Sequence, residues 1–173
     1  MRVLGVDPGL TRCGIGVVEQ VPGQSPQLLA VGVLRTPSDR DHAQRLLAIE
    51  QGLDKWISTL TPDAVCVERV FAQHNLRTVT GTSQAAGIAM LVGARHGIPV
   101  ALHTPSEVKA AVTGSGSADK AQLGKMVARI LQLDEPPQPA DAADAVALAL
   151  THLWRGGAIN RVAAAQEAVR IKS

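Results

Sequence analysis

The sequence predicts a mixed α/β domain with one central five-stranded sheet flanked by helices. Two observations carry this expectation: three short aliphatic and β-branched runs joined by turn sequences open the chain, and amphipathic helical patterns alternate with two further apolar runs behind them. At 173 residues the chain matches one domain, a size that buries about 70% of the surface its unfolded form exposes.

The first strand is read at Arg2 to Val6, the second at Gly14 to Glu19 and the third at Leu28 to Leu34, parted by DPGLTRC and PGQSPQ. From Asp39 to Leu60 apolar residues such as Leu46, Ile49, Leu53, Trp56, Ile57 and Leu60 recur at helical spacing, and Ser38 stands where an N-cap is needed. AVCVERVF is a compact fourth strand ending in Glu68. The stretch from Asn75 to His96 reads as a long helix, whose small residues between Gly81 and Ala94 let the sheet or a second subunit approach closely. GIPVALH gives the fifth strand and SEVKAAV a short helix. TGSGSADK then leads into a helix from about Ala118 to Leu133, with Ser117 as its expected N-cap. After the break DEPPQP, ADAADAVALALTHLW forms a last helix ending near Gly156 and Gly157. Residues 1–157 are thus one domain, and 158–173 a tail expected to be mobile or frayed.

With 46% hydrophobic and 18% charged residues, the chain is neither disordered nor strongly polar, and no apolar run reaches the roughly 20 residues that cross a bilayer. The start, MRVLGVDPG, lacks the apolar stretch of a signal peptide, so the cytoplasm is the expected location and no membrane is expected as a partner. Cys13 and Cys66 lie in apolar segments, as reduced buried thiols do. A net charge of +2 with a pI near 8.8 permits nucleic-acid binding without arguing for it. His42, His74, His96, His103 and His152 show no paired ligand spacing and are read as structural or exposed.

Four acids stand in apolar or small-residue surroundings. Asp7 ends the first strand, Glu68 ends the fourth, and Asp141 and Asp144 share one face at the start of the last helix. A crossover connection would make strands one and four neighbours and bring Asp7 to Glu68. Two unit charges ~4 Å apart repel by about 4 kcal/mol at an effective dielectric of 20, and a divalent cation removes that cost. Oxygen donors without a His or Cys cluster favour Mg²⁺ or Mn²⁺, and two such ions ~3.5–4 Å apart suit phosphodiester hydrolysis.

The segments GVDPGLTRCGIGVV, CVERVF, SEVKAAVTGSGSADKAQ and ADAADAVALALTH resemble, in this order and over about residues 2–155, the signature segments of the RuvC family of bacterial Holliday-junction resolvases. The resemblance implies a ribonuclease H-like fold, a homodimer joined through the long helix after strand four, and a role in homologous recombination and repair. It further implies Mg²⁺-dependent paired nicking of four-way junction DNA, leaving 5′-phosphate and 3′-hydroxyl ends, with two Mg²⁺ per subunit and Mn²⁺ as substitute. The family's catalytic, metal-holding acids fall on Asp7, Glu68, Asp141 and Asp144, and its basic residues near the scissile strand on Lys109 and Lys120. Its base-contacting aromatic residue falls on Phe71, and the branch-migration proteins RuvA and RuvB are expected partners through the family. His74 and Arg77, close behind Phe71, are further candidates for contact with DNA. Ser115, in the glycine-rich loop feeding a helix N-terminus, is a candidate for the DNA backbone.

Three other classes compete. A nuclease of similar fold acting on ribosomal RNA precursors shares the pattern VDPGLTRCGIG, but the long small-residue helix and GSGSADK favour the resolvase. A sugar kinase or actin-like ATPase needs two such domains, for which 173 residues leave no room. A non-catalytic junction-binding module would bind without metal-dependent cutting.

Overall fold

The computed structural model describes the backbone of residues 1–70 and 76–170 and the side chains of 1–70 and 79–155. In chain order the elements are β1 (Arg2–Asp7), β2 (Arg12–Glu19), β3 (Gln27–Arg35), α1 (His42–Leu60), β4 (Ala64–Glu68), α2 (Leu76–Arg95), β5 (Val100–His103), α3 (Pro105–Thr113), α4 (Lys120–Ile130) and α5 (Ala140–Arg170). The strands form one mixed sheet in the order β3-β2-β1-β4-β5. β1 runs antiparallel to β2 and parallel to β4, and β4 runs parallel to β5. The expected crossover is therefore present.

Side chains alternate across the sheet, and the alternation decides which residues meet which helices. Leu4, Val6, Ile15, Val17, Val65 and Val67 turn to one face and pack with Ile49, Leu53 and Ile57 of α1 and Ala85, Ala89 and Val92 of α2. Val3, Val18, Ala64 and Cys66 turn to the other, against Val108 and Val112 of α3, Leu123 and Val127 of α4 and the buried run Val146–Leu150 of α5. By the same period of two, Asp7 and Glu68 belong to the α3, α4 and α5 face.

Helix α5 lies directly on the backbone of β1 and β2. A Cβ on Gly5 would stand 2.0 Å from the Ala145 carbonyl oxygen, and one on Gly14 would stand 2.0 Å from that of Asp141. No side chain fits there, so these two strand positions accept only glycine while the helix keeps its place.

Three local expectations are corrected. The N-cap of α1 is Asp41 rather than Ser38, its carboxylate accepting from the Gln44 amide at 3.1 Å. The N-cap of α4 is Asp119 rather than Ser117: Asp119 accepts from the Gln122 amide at 2.8 Å while the Gln122 side chain accepts from the Asp119 amide at 3.0 Å. Asp119 has the glutamine three residues on that closes this reciprocal pair, whereas the residue three beyond Ser117 is Lys120, which has no acceptor to offer. Finally, α5 does not stop near Gly156 and Gly157 but continues to Arg170. No proline follows those glycines, and AINRVAAAQEAVR is rich in strong helix formers that outweigh two glycines at about 1 kcal/mol each.

Cys13 and Cys66 are free and buried, and burial pushes the Cys13 thiol up to about 12 and Cys66 up as well, so both stay protonated. Among the described residues no helix is long and apolar enough to cross a membrane.

The glycine contact makes a testable demand. Gly5→Ala is expected to destabilise the fold by roughly 1–3 kcal/mol or more, the usual range for forced overpacking. Urea unfolding would register this as a lower midpoint with an unchanged slope, the sign of lost stability in an otherwise intact fold.

Candidate active site

The sheet register builds the first half of the site. Val6 of β1 is paired with Val67 of β4, so one residue further on the carboxyl ends of two adjacent parallel strands set Asp7 beside Glu68. Helix α5, seated on Gly5 and Gly14, carries Asp144 over the same point. Asp7, Glu68 and Asp144 line one cavity of about 210 Å³ together with Lys109 and Lys120, walled by Pro105, Val108 and Leu123.

Helix caps aim the two lysines. Thr104 caps α3 in a reciprocal pair with Glu107, fixing the turn from which Lys109 reaches the cavity. Lys120 is the first residue of α4, where the helix dipole disfavours a cation. Its ammonium is compensated by the Asp144 carboxylate, to which Nζ donates at 2.7 Å. That bond is the main reason the Lys120 ammonium is held above its ordinary range.

Burial, and then the charges of Glu68 and Asp144, push the Asp7 carboxyl up from 3.8 to about 8, against the pull of Lys120. Glu68 is raised too, first by burial and then by Asp144, with Lys120 and Lys109 opposing. Two neighbouring carboxyls that resist ionisation mark a site short of positive charge.

Asp141 is placed differently. Its carboxylate does not line the cavity but accepts a hydrogen bond from Arg12 Nε, 2.5 Å away at the start of β2. It remains close enough to raise the Asp7 carboxyl, as the weakest of the causes acting there. Arg12 is the residue that sequence reasoning missed, since a basic residue at the exposed start of a strand carries no local signal. The histidine reading missed a pair as well: His103 Nε2 and His152 Nδ1 lie 3.2 Å apart, both buried, although 49 positions separate them.

Of the other expected contact residues, only Ser115 has its side chain among those described. Phe71 and His74 lie outside the described residues, and Arg77 stands in the first turn of α2 with its side chain outside them. Ser115 is exposed and does not line the cavity; its Oγ lies 3.1 Å from that of Ser117, within a loop that bonds to itself.

The donor set suits a hard divalent cation: oxygen ligands only, in a cavity whose carboxyls are raised by burial and mutual repulsion. Among the described residues no three acidic, His or Cys side chains form a ready cation cage. Lys120 holds Asp144 and Arg12 holds Asp141, so two of the four acids are occupied by the chain's own cations.

Parallel strands ending side by side in half-buried acids, with an acid-bearing helix laid across them, define a ribonuclease H-like domain with a carboxylate-cluster site. The chain belongs to the RuvC family: the family model described as crossover junction endodeoxyribonuclease RuvC matches residues 3–152. It is 70% identical over 164 residues to a protein of that name from Cutibacterium acnes, covering 95% of this chain and 84% of that one. Its likeness to the one from Streptomyces avermitilis is 66% over 171 residues, covering 99% and 96%. The structure of Thermus thermophilus RuvC in complex with Holliday junction substrate is similar, with a TM-score of 0.84 and 33% identity over 90% of this chain and 94% of that one.

The raised Asp7 carboxyl has a sign that can be checked. An acid whose folded pKa is raised favours the folded state below its unfolded value near 4, and that advantage is lost as pH rises through about 8. In chelator, Asp7→Asn is therefore expected to unfold at higher temperature than the parent at pH 8.5, by an amount on the order of 1–3 kcal/mol, with the difference closing towards pH 4. Melting curves of both proteins across that range make the comparison.

Proposed function

We propose that this protein is a Holliday-junction resolvase, a divalent-metal-dependent endonuclease that nicks two opposed strands of a four-way DNA junction in recombination and repair. The observation that carries the reading is the meeting of Asp7, Glu68 and Asp144 with Lys109 and Lys120 in one cavity. Family membership supports the substrate, as does likeness to a RuvC described in complex with Holliday junction substrate.

Asp7, Glu68 and Asp144 would hold Mg²⁺, two ions per subunit with Mn²⁺ as substitute, and Asp141 would join them. The bound ions supply Lewis acidity, which polarises the phosphoryl oxygen and makes water nucleophilic near neutral pH. Lys109 and Lys120 face the same cavity and would oppose the charge that develops on the phosphate. Pro105, Val108 and Leu123 form the apolar part of the same lining. Strand cleavage in this scheme leaves a 5′-phosphate and a 3′-hydroxyl.

Paired cutting calls for two sites related by a twofold axis, so we read the active form as a homodimer. The outer face of α2 supports this: Met90 and Leu91 are exposed there, and nothing lies within 4 Å of where a Gly87 Cβ would stand. Phe71, His74, Arg77 and Ser115 belong to the same reading as DNA contacts, and RuvA and RuvB as partners in branch migration. The domain boundary near residue 157 and the cytoplasmic location are part of it too.

The deciding experiment incubates the protein with a synthetic four-way junction in Mg²⁺ or in chelator. Symmetric nicks in Mg²⁺ alone are expected, with Asp7→Asn and Glu68→Gln each slowing cleavage by more than about 100-fold while junction binding persists. Binding without metal-dependent cutting would instead mark a junction-binding module, and preferential cutting of RNA would mark the precursor-processing class. Because Asp7 must shed its proton to hold a cation, the cleavage rate at limiting Mg²⁺ is expected to climb with pH up to about 8. A rate profile from pH 6 to 9 tests that slope.

A further inference from the structure

The Arg12 and Asp141 pair joins the two elements whose contact builds the site. Asp141 rests its backbone carbonyl on Gly14, and Arg12 lies two residues earlier on the same strand. The two side chains therefore start from backbones held in one fixed relation. Arg12 is aligned across the sheet with Arg35 of β3, so two cationic residues stand side by side at this end of the strands. That juxtaposition strengthens the demand for an acid, and Asp141 meets it. The result is a carboxylate drawn to the rim while Asp7, Glu68 and Asp144 line the cavity.

We propose that Arg12 is a positioning residue acting as a counter-ion latch: it holds Asp141 at the rim and must give it up before that carboxylate can serve a divalent cation. The inference rests on reading the four acids as a cation site. A guanidinium is a permanent cation in the working range of proteins, so such a latch opens by competition and not by deprotonation. A divalent cation among several carboxylates competes well against one guanidinium. The pair is also partly open to solvent, with side chains 41% and 28% exposed, so it is weak enough to exchange. Arg12 thus raises the metal concentration at which the site fills, and restrains Asp141 from wandering until it does.

The test follows metal binding itself. Thermal unfolding of the full chain, titrated with Mg²⁺, gives the half-saturating concentration for the parent, Arg12→Ala, Arg12→Gln and Arg12→Lys. Loss of the competing guanidinium is expected to lower that concentration by roughly two- to fivefold in the Ala and Gln variants, the range an exposed ion pair supports. Arg12→Lys, which keeps a cation at this position, is expected to stay near the parent. Added NaCl screens the latch, so the gap between parent and Arg12→Ala is expected to shrink as salt rises.

A purely structural brace would change the unfolding temperature without metal and leave the midpoint of the titration in place. An unchanged or raised midpoint in both Arg12→Ala and Arg12→Gln overturns the latch while leaving the cation site standing. If the parent itself shows no Mg²⁺-dependent stabilisation, the cation site falls and the latch with it.

Discussion

The geometry of the candidate site depends on how closely α5 can approach the sheet. Gly5 and Gly14 remove the side chains that would otherwise hold the helix several ångströms away, and the helix carbonyls occupy the space a Cβ would need. Because α5 packs backbone to backbone, Asp144 is brought to the strand ends where Asp7 and Glu68 emerge. A helix seated on ordinary side chains would stand about 10 Å off a sheet, and a short Asp side chain could not span the difference. Glycine in strands normally weakens them, so the loss of local β propensity here is offset by the buried run Val146–Leu150.

Bringing acids together creates an electrostatic problem that the fold meets with its own groups. Lys120 neutralises Asp144 across 2.7 Å, Arg12 neutralises Asp141, and Asp7 retains a proton up to about pH 8. Each of these is a monovalent stand-in for positive charge. All three can be displaced: an ammonium on a flexible stem, a solvent-exposed guanidinium and a proton. A site closed by buried Arg residues would carry a desolvation cost and exchange poorly, because removing one partner leaves a buried charge uncompensated. The arrangement thus keeps the domain folded while leaving its acids open to a stronger cation.

The five strands were legible because their apolar runs are short, β-rich and fenced by glycine and proline, and α1 because its apolar stripe keeps helical spacing. The acids were legible by contrast, as charges at the ends of apolar segments. What escaped reading depends on relations between distant residues or on competition between neighbours. Ser38 and Asp41 both have N-cap chemistry, and only the hydrogen bond to Gln44 decides between them. His103 and His152 meet because β5 ends beside α5, which no spacing rule encodes. Arg12 gains meaning only from Gly14 two positions later, where the helix that brings Asp141 comes to rest. The length of α5 was misjudged because two glycines weigh heavily in local reading and little against a long run of good helix formers.

The turn between β1 and β2 shows why Asp7 in particular can serve as the fixed point of the cluster. The chain leaves Asp7 through Pro8 and Gly9, and the segment that follows is tied from the opposite face of the sheet. Buried Arg45 of α1 donates to the Thr36 hydroxyl at 3.0 Å and to that of Thr11 at 2.7 Å, while the Thr36 hydroxyl donates to the Leu10 carbonyl. Leu10 itself packs against α2 at Gly81, where a Cβ would come within 3.1 Å of its side chain. Asp7 is therefore held by its pairing with Gly14 of β2, one residue beyond the β1–β4 ladder that ends at Val6 and Val67, and by a turn anchored to α1 and α2. Glu68 hangs from the end of a five-residue strand, and Asp141 and Asp144 ride on a helix. A carboxylate with its backbone braced on both sides is the one best suited to be shared, since its position stays put while its neighbours exchange partners.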